Sequence, residues 1–155
     1  MDSTIHVRPL RNGDARTVMG VFSRLSERSR YSRFNGPKPC LSFGELRQLA
    51  SVGRTRHALV AYVDGDPQPV AIARFVREGR RAEIAFAVAD EYQRRGIGTA
   101  VAARLIADAR AAGITEIVAL VSSNNRAAVA LLRRVLSAIE LRFEGAELSI
   151  RASIA

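Results

Sequence analysis

The 155-residue chain has 24 basic and 15 acidic side chains, a formal net charge of +9, and 48% hydrophobic residues. This length predicts one domain, residues 1–155, that buries about two thirds of the surface of its unfolded chain. A single cysteine, Cys40, excludes an internal disulfide, and the chain has neither an apolar run long enough to cross a membrane nor a signal-peptide core, so the sequence predicts a soluble, cytoplasmic protein.

The basic side chains are almost all arginine, since Lys38 is the only lysine. An excess of positive charge favours polyanionic partners such as nucleic acid or a phosphorylated cofactor. The arginines are scattered along the chain, and there is no zinc-finger spacing, aromatic-rich RNA-binding signature or lysine-rich tail. Binding of nucleic acid is therefore not expected, and charge alone does not identify the partner.

The first predicted elements are one strand and two helices. Residues Thr4 to Leu10 alternate as in a strand, and Asp14 caps a helix that ends near Leu25. Ser42 opens the second helix, where Glu45 completes a capping box. The apolar stripe of the first helix consists of Val18, Val21, Phe22 and Leu25.

The rest of the chain alternates strands with two more helices. A long helix ends at Gly113, and another runs from Arg126 to Val135. Strands are predicted at His57 to Val63, Pro69 to Val76, Ala82 to Val88, Ile114 to Val121, Ile139 to Phe143 and Glu147 to Ile154. This order predicts an α/β fold with a mixed sheet, a parallel centre and helices on both faces.

One stretch, Ala82 to Ala103, joins a strand to a helix through a basic turn that contains two glycines. The turn reads Gln93-Arg94-Arg95-Gly96-Ile97-Gly98-Thr99. The first N–H groups of a helix lack partners and lie at the positive end of its dipole, so such a turn can hold a phosphate. A plain structural turn is the alternative.

The motif Q-R-R-G-I-G after an E-x-A-x-A-V strand resembles the Q/R-x-x-G-x-G/A signature of the GNAT superfamily of N-acetyltransferases. The predicted order of elements also matches that family over nearly the whole chain. The resemblance implies the GNAT fold, with a mostly antiparallel mixed sheet, a central parallel strand pair and helices on both faces. In that family the fourth and fifth strands splay apart, and the pantetheine arm of acetyl-coenzyme A lies in the gap.

The resemblance also implies which residues bind acetyl-coenzyme A. Main-chain groups around Val88 would hold pantetheine, and the basic turn would hold the pyrophosphate. Asn125, with Ala128 three residues later, matches the family's N-x-x-A pattern; the alternative role for this asparagine is a helix cap. The complete predicted cofactor set is Phe86, Ala87, Val88, Gln93, Arg94, Arg95, Gly96, Ile97, Gly98, Thr99 and Asn125.

The segment from Leu25 to Phe34 resembles the S-x-x-S-R-Y-x-R-F stretch of bacterial protein lysine acetyltransferases of the Pat type, a GNAT subgroup. This resemblance implies that the acceptor amine is a protein lysine. The alternative is a helix end in which Tyr31 and Phe34 anchor the core and the arginines are solvated.

Glu83 is the predicted general base. A lysine of pKa about 10.4 needs about 4.6 kcal/mol to become neutral at pH 7, and a base can help supply it. Glu83 is the only acid inside the central strand, where a carboxylate is costly without a partner or a task. It shares a strand face with Ala85 and Ala87, whose small side chains leave room for a substrate. The Pat-type enzymes have a glutamate base in the matching A-E-I-A-F stretch; the alternative role is a salt bridge to Arg74 or another arginine.

The sequence departs from the family pattern at two places. Leu132 stands where many members have a tyrosine that protonates the departing thiolate, and Leu136-Ser137 replaces the usual Gly-Phe or Gly-Ala. Both departures favour a non-catalytic module that binds acyl-coenzyme A as a sensor or partner domain, whereas Glu83 and the intact Q-R-R-G-I-G motif oppose this alternative. The chain's own tyrosines, Tyr31, Tyr62 and Tyr92, are interpreted as packing residues.

No metal site is expected, because His6, His57 and Cys40 lie far apart in the sequence. The resemblance implies an acetyl-coenzyme A-dependent N-acetyltransferase that acts on a primary amine of a protein lysine. A small-molecule amine is the alternative acceptor. The sequence does not identify the acceptor, the acyl chain or the oligomeric state.

Overall fold

The computed structural model describes residues 4–155, so the first three residues of the predicted domain lie outside it. The first half of the chain forms β1 (Ile5–Pro9), α1 (Ala15–Phe22), α2 (Glu27–Phe34), α3 (Phe43–Leu49), β2 (Arg56–Val63) and β3 (Ala71–Glu78). The second half forms β4 (Arg81–Val88), a 3-10 turn (Asp90–Tyr92), α4 (Ile97–Ala111), β5 (Glu116–Ser122), α5 (Arg126–Val135), β6 (Glu140–Glu144) and β7 (Glu147–Ser153).

Three helices, rather than the two predicted, precede β2. The apolar spacing that favoured one helix up to Leu25 is real, since Leu25 is buried. The α-helical hydrogen bonds nevertheless stop at Phe22, and Ser26 begins α2 by accepting a hydrogen bond from the N–H of Ser29, 3.2 Å away. The predicted caps at Asp14 and at Ser42 with Glu45 are confirmed.

The strands form one seven-stranded sheet in the order β1-β2-β3-β4-β5-β7-β6. Every neighbouring pair is antiparallel except β4 and β5, which run parallel. The predicted mixed, mostly antiparallel sheet with a central parallel pair is therefore confirmed.

Helices cover both faces of this sheet. Alternate residues of each strand point to opposite sides, so each strand packs against helices on both faces. On β2, Ala58 and Val60 pack with Val18 of α1, whereas Leu59 and Ala61 join the larger core that contains Leu105 of α4. No helix within residues 4–155 is long and apolar enough to cross a membrane.

The parallel pair β4–β5 separates after a short contact. Pairing runs from Arg81 opposite Glu116 to Glu83 opposite Val118 and then stops, although β4 pairs with β3 along its whole length. On the β5 side, Ile84 to Val88 thus have no strand partner. This is the splay of the fourth and fifth strands that the family resemblance implied.

Candidate active site

The free edge of β4 exposes main-chain groups at alternate residues. The N–H of Ala89 donates to the carbonyl of Val70 at 2.8 Å, which makes this a hydrogen-bonded pair. Because bonding sides alternate along an antiparallel pair, Ala87 directs its main chain to β3, while Phe86 and Val88 direct theirs into the gap. Of the three predicted pantetheine contacts on β4, these last two are therefore placed for main-chain bonding.

The carbonyl of Val88 already has a partner at this edge. It accepts a hydrogen bond from the side-chain nitrogen of Gln93 at 3.0 Å, and the same nitrogen donates to Ser29 Oγ at 3.0 Å. The N–H of Val88 and both main-chain groups of Phe86 are left to face the gap. Gln93 thus joins the edge of β4 to the loop that follows it.

That loop ends in an open helix terminus. Gly96 is the N-cap of α4 at φ +82°, where glycine is favoured, and no side chain caps the terminus. Arg94 also has a positive φ of 63°, and both arginines of the loop are exposed. The free N–H groups, the positive end of the helix dipole and the guanidinium groups make this terminus suitable for a phosphate.

The residues that follow Gly96 have a structural role as well. Ile97 is 2% exposed and belongs to the core, so only its main chain can meet a ligand. A Cβ on Gly98 would lie 2.8 Å from Leu131 Cδ1 and 3.4 Å from Val88 Cγ2. The glycine at 98 therefore lets α4 pack closely against the end of the Leu131 side chain of α5 and against Val88 of β4, besides allowing the approach of an anion that the sequence suggested. Thr99 is partly buried in the first turn of α4.

Asn125 is the N-cap of α5, and Leu132 lies within this helix. Asn125 caps this helix, its Oδ1 accepting from the N–H of Ala128 at 3.1 Å, so the alternative role as a cap is confirmed. The cap uses only the oxygen of the side chain. Leu132 is fully buried in the core, so this departure from the family pattern serves packing.

Glu83 lies at the point where β4 and β5 separate. The sequence argument treated this carboxylate as buried within the sheet, but the residue is exposed. The alternative of a salt bridge to Arg74 is wrong, since Glu83 makes no ion pair with any residue between 4 and 155. An open carboxylate beside the end of the strand pairing is accessible to a substrate.

Beside Glu83, the same face of β4 borders a cavity of about 30 Å³, which we call the arginine cavity. Apolar side chains of α1, α2 and α3 enclose most of it. Its floor and its polar groups come from Arg33, Arg74, Ala85 and Ala87. Sequence reasoning named the two alanines as substrate space and Arg74 only as a salt-bridge partner of Glu83. It did not place Arg74 or Arg33 in this cavity, because an arginine in a strand or helix gives no signal that its head group points inward.

Comparison with known proteins identifies the family. The sequence model of the acetyltransferase (GNAT) family matches residues 25–137. The chain belongs to the GNAT family of N-acetyltransferases. Members of this family use acetyl-coenzyme A as acyl donor.

Among individual relatives, the acetyltransferase Pat of Mycolicibacterium smegmatis is 34% identical over 135 residues, which are 84% of this chain and 40% of that protein. An acetyltransferase of Pseudomonas aeruginosa is 33% identical over 126 residues, 78% of this chain and 68% of that protein. The crystal structure of the GNAT domain of S. lividans PAT superposes with a TM-score of 0.87 at 25% identity, over 99% of this chain and 95% of that one. The resemblance to a Pat-type GNAT domain is confirmed, while the chain spans 40% of the mycobacterial relative's length.

In this GNAT chain, the Pat-like segment forms α2 and contacts the loop between β4 and α4, which we call the cofactor loop after its predicted role. Ser26 donates from its N–H and its hydroxyl to Asp90, at 2.8 and 2.7 Å, and Ser29 accepts from Gln93. The two serines of the S-x-x-S pattern thus connect α2 with the loop after β4, a contact that the sequence analysis missed.

The alternative interpretation of the Pat-like segment was a helix end with Tyr31 and Phe34 in the core and with solvated arginines. It is only partly correct. Phe34 packs edge-on against Phe22, with ring centroids 6.0 Å apart, but Tyr31 is 46% exposed and is not a core anchor. Arg30 is not solvated either: it lies 4.1 Å over the ring of Phe22 and donates to the carbonyl of Pro39 at 2.9 Å.

A second set of polar side chains also holds the loop between β4 and α4 in place. Arg24 donates to Asp66 at 2.8 Å and forms an ion pair with Glu91, and Tyr92 donates its hydroxyl to Asp66 at 2.7 Å. The Asp66 and Glu91 carboxylates raise the pKa of Arg24, and the hydrogen bonds from Arg24, Tyr92 and the N–H of Gln68 hold the pKa of Asp66 well below its usual value. Tyr92, interpreted as a packing residue, therefore also orients this ion pair.

The described residues contain no group of three or more His, Cys, Asp and Glu side chains placed to hold a metal ion. His6 pairs with Asp64 and His57 with Asp108, at 2.7 and 2.9 Å.

Proposed function

We propose that the protein transfers an acetyl group from acetyl-coenzyme A directly to a primary amine, and that the amine belongs to a protein lysine. The observation that carries this proposal is the free edge of β4 beside the uncapped terminus of α4. An extended arm can bond to Phe86 and Val88 while its phosphates reach residues 93–99. The splayed strands and the open helix end together fit a ligand with an extended polar arm and a pyrophosphate.

In this arrangement, acetyl-coenzyme A supplies an acetyl group activated as a thioester. The N–H of Val88 is a fixed donor at the end of β4 and can stabilise charge that develops on the thioester oxygen. Gln93 keeps the carbonyl of Val88 occupied, so that the carbonyl does not repel the same oxygen. Arg94, Arg95 and the N–H groups of the first turn of α4 would neutralise the pyrophosphate.

The amine nitrogen attacks the thioester carbon, the carbon–sulfur bond breaks, and the amide and a thiolate are released. Glu83 accepts the proton that the amine loses, directly or through one water. Glu83 lies at the closed end of the gap, where the pairing of β4 with β5 stops, and its carboxylate is exposed. A thiol has a pKa of about 8.5, so the thiolate can leave and take its proton from solvent. This path needs no acid at Leu132, which is buried and cannot donate.

The acceptor is proposed from the relation to Pat. The Pat-like segment forms α2, which borders the arginine cavity and contacts the cofactor loop. A small-molecule amine is a second candidate, favoured by the enclosed arginine cavity on the face of β4 that carries Glu83. With either acceptor, the acetyl group passes from the thioester to an amine nitrogen.

The experiment follows thiol release from acetyl-coenzyme A for the wild type, Glu83→Gln and the matched control Glu140→Gln. Glu140 is an exposed strand glutamate at the start of β6. Proteins from a cell extract and a panel of small amines serve as acceptors, and mass spectrometry detects acetyl-lysine. We expect a loss of about 100-fold or more in turnover for Glu83→Gln, with unchanged affinity for acetyl-coenzyme A and a normal control.

Each outcome decides between the candidates. Acetyl-lysine that disappears in Glu83→Gln supports the protein acceptor, and thiol release with small amines alone supports the second candidate. Equal turnover in the wild type and Glu83→Gln would remove Glu83 from the mechanism. Cofactor binding without any thiol release would indicate a non-catalytic module.

A further inference from the structure

Arg74 brings a charge into the protein that no residue neutralises. It is 8% exposed, and within residues 4–155 its guanidinium donates no hydrogen bond and forms no ion pair, although its nitrogen atoms keep some contact with solvent. Burial, and next the charge of Arg56, lower its pKa. A buried charge is costly unless it is paired, so the position is suited to a negative group that comes from outside the chain.

Arg33 adds a second positive charge to the same cavity. It comes from α2, is partly buried, and stacks 4.8 Å from the ring of Phe34. Burial, and next the charge of Arg74, lower its pKa to about 10, against an opposing effect of Glu83. Glu83 is thus near enough for its charge to act on Arg33, but it forms no ion pair with it.

The space in front of Arg74 is made by small residues. Its neighbours across the sheet are Ala58 on β2 and Ala85 on β4. The cavity of about 30 Å³ has room for one or two water-sized groups. Two oxygens of a carboxylate match this size, and a guanidinium binds a carboxylate through two parallel hydrogen bonds.

The arginine cavity is next to the proposed reaction centre. Ala85 lies two residues after Glu83 on the same face of β4, about 7 Å along the strand. A carboxylate held there is within the length of one small molecule from a group that reacts at Glu83.

We propose that the arginine cavity binds a carboxylate carried by one of the two reactants. The reactant is either the second candidate acceptor, a small molecule that bears both an amine and a carboxylate as an amino acid does, or an acyl donor that replaces acetyl-coenzyme A and whose short acyl chain ends in a carboxylate. The identity of these reactants rests on the proposed acyltransfer function, whereas the binding of the carboxylate does not.

Calorimetric binding measurements test this without turnover. For the donor, the probes are succinyl-, propionyl- and acetyl-coenzyme A, which compare a charged acyl chain with neutral ones. For the acceptor, the protein saturated with coenzyme A is titrated with a panel of α-amino acids and with the carboxamide of each. The variants are Arg74→Gln, Arg33→Gln and the control Arg28→Gln, an exposed arginine on α2.

We expect the wild type to bind one carboxylate series at least tenfold more tightly than its neutral partners. Arg74→Gln and Arg33→Gln should remove this preference and leave the affinity for acetyl-coenzyme A unchanged, and Arg28→Gln should resemble the wild type. A preference for succinyl-coenzyme A identifies the donor as the source of the carboxylate, and a preference for amino acids identifies the acceptor.

Equal affinity for charged and neutral probes in the wild type would overturn the proposal, as would a preference that survives in both cavity variants. If Arg74→Gln does not fold, the affinities of the wild type and of Arg33→Gln for charged and neutral probes still test the proposal. A carboxylate preference without thiol release would overturn only the proposed function, and thiol release without a preference would overturn only this inference.

Discussion

The two faces of the central sheet are built in different ways. The face under α4 and α5 is a dense apolar core, in which Leu59, Leu105 and Leu132 are completely buried. The face under α1, α2 and α3 carries short helices, two arginines and a cavity. The comparison indicates that one face supplies stability, and that the other gives up apolar packing for polar groups, to which we assign ligand binding.

The largest effect should come from the dense face. Leu105→Ala removes a fully buried side chain and leaves a cavity, so we expect a loss of about 2–5 kcal/mol in the free energy of unfolding. Leu46→Ala on α3 should cost clearly less, because Leu46 is only partly buried. Urea unfolding of both variants measures the contrast, and equal losses would contradict it.

Gly98→Ala tests the close contact of α4 with α5 and with the end of β4. The added Cβ would lie 2.8 Å from Leu131 Cδ1, the end of a partly buried side chain that has to move, so we expect a loss of about 1 kcal/mol from overpacking. The double variant with Leu131→Ala should recover part of it, since the clash is removed. Thermal unfolding of the three proteins measures this; no recovery would mean that Gly98 is needed for its backbone alone.

Asp66→Asn tests the polar group that fixes the loop before α4. The pKa of Asp66 is lowered in the folded protein, so its contribution is complete at pH 7 and is lost as the pH falls from its ordinary value of 3.8 through the folded pKa. We expect Asp66→Asn to lose about 1–2 kcal/mol at pH 7 and to show a flatter decline of stability in acid. Urea unfolding at pH 7 and at pH 2–4 measures both, and parallel pH profiles would contradict the assignment.

Arg74→Met should change stability in the opposite direction. It replaces an unpaired buried charge with an apolar side chain, so we expect the ligand-free protein to gain about 1 kcal/mol. Arg28→Met, on the exposed surface of α2, is the control and should leave stability unchanged. Thermal unfolding without ligand decides, and destabilisation by Arg74→Met would show that the guanidinium supports the fold.

The sequence predicted most of the dense face and less of the other. The order of the strands along the chain and α4 follow from apolar periodicity, and the resemblance to the GNAT family assigned the turn at residues 93–99 to the pyrophosphate. The start of α2 was missed because the apolar spacing of α1 continues to Leu25. Ser26 is nevertheless an ordinary N-cap residue, and its hydroxyl accepts from the N–H of Ser29. The exposure of Glu83 could not be predicted, since it depends on where pairing between β4 and β5 stops. The inward direction of Arg74 likewise depends on Ala58 and Ala85, which are distant in sequence.

The gap between β4 and β5 has a consequence for association of the protein with other chains. An unpaired strand edge on the outside of a sheet can recruit strands from other molecules and start aggregation. Here the unpaired edge of β4 lies in the middle of the sheet, with β5 on its far side. The gap can admit one extended ligand, but the sheet of another chain cannot pair with this edge of β4. The GNAT chain can therefore keep a row of main-chain donors and acceptors available for a ligand without offering a template for fibrils.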